Sequence, residues 1–338
     1  MEFIPPSLVF MSPSREFTKL NRNVSEIGLG CWQLGGDFGT IEDATAVAVV
    51  EKAIEEGIDF FDTADVYGGG RSEELLGKVL DRHGRDRFTI ATKVGRGGGL
   101  FPDGYSREAV KAGVEASLRR LSIDCLDLIQ LHCVPSKVLR EGEIFTWLRE
   151  LVEEGKVRAF GASVETLEQG MLALAQPDLA SLQIIFNLFR QKPREELFGR
   201  AKKQGTALIV RLPLNSGLLA GKMTKETRFE EGDHRNYNRD GAAFHVGETF
   251  GGLPFDTGVD LVERLRPYCP NGYSMADFAQ RFILDFPEVT TVITGASGPE
   301  QVARNAAVGG LAPLGPDTHE DVRKFYYEQV APYIRGEQ

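Results

Sequence analysis

Cysteine is scarce in this chain of 338 residues, which has only four. Cys31, Cys125, Cys133 and Cys269 form no C-x-x-C pair, and no histidine stands at metal-ligand spacing from any of them. That argues against a zinc or disulfide framework and predicts reduced, inert thiols in a cytoplasmic protein, with no metal. Basic charge is also short: 39 Lys and Arg against 49 Asp and Glu give a formal charge of −10. Such a surface does not gather phosphates, so no nucleic-acid partner is expected. No continuous apolar stretch approaches the length of a bilayer span, so no membrane partner is expected. The first residues, MEFIPPSLVFMSPSREF, carry no basic start before their short apolar patch, and Pro5 and Pro6 interrupt it, which is unlike a signal peptide. A G-x-G-x-x-G fingerprint is missing too, because Gly28, Gly30 and Gly35 do not have its spacing. That weighs against a doubly wound dinucleotide fold.

What the chain does contain is a rhythm. Hydrophobic residues make up 42% and charged residues 26%, enough for a core of ordinary size. Apolar, β-branched stretches predict strands at Glu26–Cys31, Ile58–Thr63, Phe88–Lys93, Leu126–His132, Val157–Ser163, Leu182–Asn187, Thr206–Leu212 and Thr290–Gly295. Between them, helical periodicity predicts helices such as Asp43–Glu56, Ser72–Leu80 and Ser106–Leu121, with Ser72 and Ser106 suited to the helix starts. Eight such alternations without a polar linker predict one α/β domain, a (β/α)₈ barrel over residues 17–338, preceded by a loose extension at residues 1–16. The rhythm breaks between Pro213 and Asn271. There, the stretch GDHRNYNRDGAAFHVGETFGG has too little continuous apolar content to pack as a core element, and is expected to be a mobile cover over bound nucleotide. An amphipathic helix at Thr318–Pro332 lies beyond the repeat.

In a barrel of this kind chemistry sits at the C-terminal ends of the strands. The second predicted strand delivers Asp62 and, after a short loop, Tyr67; the third ends on Lys93 and the fourth on His132. Each alone has a structural explanation: a turn cap, a half-buried aromatic, a solvated lysine, a satisfied rim histidine. Together they suit one chemistry. An ammonium beside a phenol lowers its pKa from ~10, a carboxylate holds that ammonium charged, and an imidazole directs a carbonyl oxygen toward the phenol. Such a set protonates a carbonyl oxygen as hydride reaches the carbon.

The segments GLGCWQLGG, DFFDTADVYGGGRSEELLGK, TKVG, LDLIQLH, VRAFGAS, LQIIFNLF and PLNSGLLAGK carry a likeness from about Phe17 to Tyr333. On them the chain resembles the aldo-keto reductases. The resemblance implies an NAD(P)-dependent oxidoreductase that reduces a small aldehyde or ketone, or runs the reverse oxidation of a sugar or polyol, with NADP or NAD as cofactor. It implies a catalytic set of Asp62, Tyr67, Lys93 and His132. Gly30, Cys31 and Trp32 would approach the nicotinamide, Ser163 and Gln183 would hold its carboxamide, and the loop Leu214–Leu218, with Ser216 and Gly217, would take the pyrophosphate. Gly295, Ser297, Gln301, Arg304 and Asn305 would lie at the adenosine end, and Trp32, Tyr67, His132 and Cys133 would line the substrate pocket. The sequence departs from the family pattern in three places. Arg211 stands where many relatives stack a tyrosine on the nicotinamide, and its planar guanidinium would stack there instead; Cys133 replaces a large aromatic; and GASGPEQVARN has no basic residue before Arg304 to meet a 2′-phosphate. The same resemblance also admits a nucleotide-binding regulatory protein, like the potassium-channel β-subunits.

Overall fold

The structure, a computed structural model, describes residues 13–36 and 38–338. Eight parallel strands close into a barrel: β3 (Ile27–Gly30), β4 (Phe60–Asp62), β5 (Thr89–Val94), β6 (Leu126–His132), β7 (Val157–Ser163), β8 (Ser181–Ile185), β9 (Ala207–Arg211) and β10 (Val289–Gly295), with β10 pairing back onto β3. This is the predicted (β/α)₈ architecture. The strands are nearly all buried because helices cover their outer faces, and so they read as continuous apolar stretches with no alternation.

Two antiparallel strands precede the barrel, β1 (Ser14–Phe17) and β2 (Arg22–Ser25), with Ser14 opposite Ser25. The expected loose extension is thus corrected for Ser14–Glu16; residues 1–12 lie outside the described residues. Phe17 and Val24, both fully buried, join Phe60, Leu128, Ile209 and Ile293 in a cluster separate from the main core. This hairpin closes one end of the barrel interior. Small residues (Ala91, Ala159, Ala180 and Ala207) make room for the two phenylalanines there.

The helices follow prediction with shifted ends. Ser106 caps its helix, its Oγ accepting from Ala109 N at 3.2 Å. Ser72 does not: the helix runs Arg71–Arg82, and Ser72 Oγ instead donates to Cys31 O at 2.8 Å while accepting from Thr63 Oγ1 at 2.9 Å. A buried hydroxyl tying three segments together won over a cap. Between β8 and β9 the helical stretch is interrupted at Leu197 into Pro193–Glu196 and Phe198–Gln204, and a short helix at Ser136–Glu141 carried no clear periodic signal.

The long segment after β9 departs most from expectation. It packs: Asp233, His234, Asn238, Glu248, Thr249 and Phe250 are buried. Several of its polar side chains bond to backbone and side-chain groups of the same lobe. Asn238 Oδ1 accepts from Ala243 N and Phe244 N, both at 2.9 Å, and Asn238 Nδ2 donates to Thr249 Oγ1 at 3.1 Å. Low apolar content misled because hydrogen bonding, not periodic burial, organises this lobe.

One helix contact gives a sharp test. A Cβ at Gly77, inside the helix Arg71–Arg82, would stand 2.5 Å from Leu121 O and 2.8 Å from its carbonyl carbon. Backbone cannot step aside as a side-chain tip can. Alanine would gain about 1 kcal/mol of helix propensity, but overpacking costs typically ~1–3 kcal/mol. Gly77→Ala is therefore expected to lower the midpoint of thermal unfolding, and an unchanged or raised midpoint would contradict this packing.

Candidate active site

Parallel pairing brings the strand ends into one ring. Gly30 pairs in register with Asp62, His132 with Ser163, Ser163 with Gln183, and Ile185 with Arg211. At its centre Lys93, 1% exposed, donates to Asp62 Oδ1 at 2.5 Å, Thr63 O at 2.8 Å and Tyr67 OH at 3.1 Å. The other Asp62 oxygen accepts from Gln183 Nε2 at 2.7 Å and Gln130 Nε2 at 3.1 Å. The buried carboxylate is fully engaged, as a buried charge requires.

Tyr67 is held by backbone contact. A Cβ at Gly35 would lie 2.6 Å from both Gly68 N and Tyr67 C, and Gly68 takes a φ of +60° against Gly35 O. Only glycines let the turn Tyr67–Gly70 approach the short helix Trp32–Gly35 so closely. From that helix Trp32 stacks on Tyr67 (centroids 5.8 Å) and on His234 (4.7 Å), while His132 meets the Tyr67 ring edge-on at 5.9 Å.

Burial pushes the Tyr67 phenol up to about 12, with Asp62 adding to the rise and Lys93 opposing it. The expectation that Lys93 would bring the phenol below its ordinary value is thereby corrected. Asp62 offsets much of the lysine's charge, and desolvation prevails. Burial alone would lower the Lys93 ammonium, but Asp62 and Tyr67 beside it raise it. His132 is held well below its usual value by burial and then by Arg96, Lys93 and Arg211, so it is neutral. Its Nδ1 is buried and has no partner among the described residues.

These groups open onto a cavity of about 620 Å³, the size of a small-molecule or cofactor site. Gly30, Trp32, Asp62, Tyr67, His132 and Cys133 line it. So do Ser163, Gln183, Arg211, Leu214, Ser216 and Gly217, and further Gly295, Ser297, Gln301, Arg304 and Asn305. Two predicted residues do not. Cys31 and Leu218 point into the core, 0% and 1% exposed, because apolar neighbours surround them. Ser163 Oγ donates to Gln183 Oε1 at 3.1 Å, so the two predicted carboxamide residues are paired with each other.

Arg211 is not free to lie over a ring unaided. It donates to Glu248 through Nη1 and to Val164 O through Nη2 at 2.7 Å. Beside it Arg96 pairs with Glu165, and Cys133 Sγ lies 3.9 Å from Glu248 Oε1. Cys133, Glu165 and Glu248 offer ligand atoms within 4.8 Å of one another, a grouping the sequence reading did not find. Both carboxylates are already paired with arginine, and burial pushes the Cys133 thiol up to about 12, so this set suits charge pairing.

Several further residues line the cavity. Lys222 ends PLNSGLLAGK, so its signal was present. Ser274, Asp277 and Gln280 recur every three residues along the start of one helix, a polar stripe that could have been read as cavity-facing. Arg96 sits in a loop and Glu248 ends a single 3₁₀ turn, Val246–Glu248, so neither carries a periodic signal.

With the phenol at about 12, ¹³Cζ-tyrosine NMR of the unliganded protein is expected to show Tyr67 un-ionised at pH 10, where an ordinary tyrosine is half ionised. Lys93→Met should push it higher still, since it removes the charge that favours phenolate. A Tyr67 phenolate signal at pH 9 would overturn this electrostatic picture.

Residues 26–326 match the model of the aldo/keto reductase family. The chain is 33% identical over 320 residues to the aldo-keto reductase YhdN of Bacillus subtilis (strain 168), covering 93% of each chain. It is 29% identical over 302 residues to the NADH-specific methylglyoxal reductase of Escherichia coli (strain K12), covering 84% of this chain and 89% of that one. Among solved structures, the glycerol dehydrogenase AKR11B4 from Gluconobacter oxydans has a TM-score of 0.75 at 27% identity, covering 96% of this chain and 98% of that one.

Proposed function

Because this chain belongs to the aldo/keto reductase family, we propose that it reduces a small aldehyde or ketone to an alcohol with NAD(P)H, or runs the reverse, with Tyr67 as the proton donor. The observation that carries this is the Tyr67 hydroxyl, bonded to Lys93 at 3.1 Å and lining the cavity with His132 edge-on to its ring.

The buried Nδ1 of His132, without a partner among the described residues, and the ring of polar strand ends fit a dinucleotide and a carbonyl better than an apolar ligand. When bound, the nicotinamide supplies hydride, two electrons and a proton nucleus, to the carbonyl carbon. Tyr67 OH gives its proton to the carbonyl oxygen, and Lys93 stabilises the phenolate left behind. Asp62, fixed by Gln130 and Gln183, keeps Lys93 charged and aimed. His132, neutral, hydrogen-bonds the carbonyl oxygen without competing for the proton. Gly30, Trp32, Ser163, Gln183 and Arg211 would hold the nicotinamide end. The backbone of Leu214, Ser216 and Gly217, with Lys222 close by, would take the pyrophosphate. In the reverse direction the same phenolate accepts the alcohol proton. Oxidation of a polyol is one form this would take, and one structural relative is named a glycerol dehydrogenase.

Tyr67→Phe is expected to lose at least about two orders of magnitude in turnover, with nucleotide affinity near wild type. Retention of about a tenth of turnover, with chemistry rate-limiting, would sink the assignment.

The adenosine end suggests which nucleotide. Gln301 Oε1 accepts from Ser297 N at 2.7 Å, and Arg304 lies 3.7 Å from Glu300 across an exposed helix face. Asp277 adds a carboxylate to the same cavity wall. A charge-assisted hydrogen bond to phosphate contributes about 1.5–3 kcal/mol; without a committed cation, preference for NADPH over NADH should be weak or reversed. The E. coli relative is named NADH-specific, which agrees in direction. Dissociation constants for both nucleotides at stated salt, on wild type and Arg304→Ala, test this. A preference for NADPH beyond about a hundredfold, equivalent to ~2.7 kcal/mol, would refute it.

A further inference from the structure

The wall beside the proposed proton donor holds more charge than the reaction uses. Arg96, Arg211, Glu165 and Glu248 lie together there, with side chains 20%, 10%, 12% and 5% exposed. Their formal charges sum to zero. Cys133, the residue after His132, connects them to the reaction centre: its Sγ lies 3.8 Å from Arg211 Nη2 and 3.9 Å from Glu248 Oε1. Arg211 and Glu248 both line the cavity that Tyr67 and His132 line. Arg211 Nε is buried and has no partner among the described residues.

A substrate group entering this corner displaces water from a guanidinium and a carboxylate at once. An alkyl group leaves both without their water partners. A carboxylate meets Glu248, and an ammonium meets Arg96 and Arg211. A hydroxyl satisfies both signs, because it donates to the carboxylate and accepts from the guanidinium.

We propose that the Arg211–Glu248 pair makes this a reductase of carbonyl compounds bearing a hydroxyl on the neighbouring carbon, discriminating against alkyl and carboxylate analogues. The proposal rests on the oxidoreductase reading above. A site built to hydrogen-bond a substrate hydroxyl rejects the analogue without it far better than an apolar pocket rejects an extra methylene. Each turnover reduces the carbonyl by two electrons, consuming one NAD(P)H and one proton.

The test is a series of glycolaldehyde, propanal and glyoxylate, in which hydroxymethyl, ethyl and carboxylate groups replace one another on the same aldehyde carbon. We expect wild-type kcat/KM for glycolaldehyde to exceed that for propanal by about tenfold or more. Comparing wild type with Glu248→Gln cancels the intrinsic reactivities of the three aldehydes. In the variant the glycolaldehyde-to-propanal ratio should fall about tenfold, and the glyoxylate-to-propanal ratio should rise by a similar factor, because Arg211 is left uncompensated. A purely structural role would lower all three constants together. Ratios unmoved within about twofold, or a wild type that prefers propanal, would overturn the proposal. Should Glu248→Gln unfold by circular dichroism, Glu248→Asp withdraws the carboxylate and keeps its charge. It is expected to lose hydroxyl preference without gaining glyoxylate, and an unchanged hydroxyl preference there would overturn the proposal. Failure of wild type to oxidise NAD(P)H with any of the three would instead sink the oxidoreductase reading, and this proposal with it.

Discussion

The buried contact between Lys93 and Asp62 is the constraint around which the strand ends are arranged. Both residues are 1% exposed, and an ion pair at that depth is tolerated only when every remaining lone pair and proton has a partner. Thr63 O, Tyr67 OH, Gln130 and Gln183 supply those partners from β6, β8 and the chain following β4. The ring of strands must therefore close in one register, because a slip of one residue would turn Gln183 out of the barrel and leave a carboxylate oxygen short. Removing one partner of such a pair typically costs ~3–5 kcal/mol, so the same contact governs stability and the proposed chemistry.

That closed geometry explains why the fold was legible in the sequence. Parallel strands covered on both faces read as apolar runs, and their helices carry a separate period, so eight alternations announce a barrel. The proposed acid, its lysine and its histidine were legible because each stands at or just past a strand end, where the fold sends side chains to one rim. What escaped was held by other forces. Glu248 reaches the cavity through a lobe organised by Asn238 and Thr249, whose hydrogen bonds leave no periodic trace. Ser72 looked like a helix cap, and only the folded chain shows it bonded to Cys31 O and Thr63. The charge state of Tyr67 was misjudged for a related reason. Proximity to Lys93 can be guessed from strand order, whereas the cost of burial cannot be weighed until the cavity exists.

The cavity also shows two ways of managing charge. Near Tyr67 the ions are sequestered beneath the surface, so the wall presents a neutral phenol and a neutral imidazole. A few residues away the ions are left on the wall as opposed pairs. The burial that raises the carboxyl of Glu165 is reinforced by Glu248, while Arg211 and then Arg96 hold Glu248 below its ordinary value despite its burial. Both arginines oppose the rise at Glu165 as well, but there burial and the charge on Glu248 prevail.

Finally, the glycine-on-glycine contact between Gly35 and Gly68 makes the wall and the acid one mechanical part. A backbone movement that carried Trp32 outward would carry Tyr67 with it and misalign the proposed proton donor. Diversification of this scaffold is thus channelled: new ligand shapes have to come from exchanging side chains on a fixed frame, or from rebuilding the lobe after β9, which is joined to that frame through the stack of His234 on Trp32.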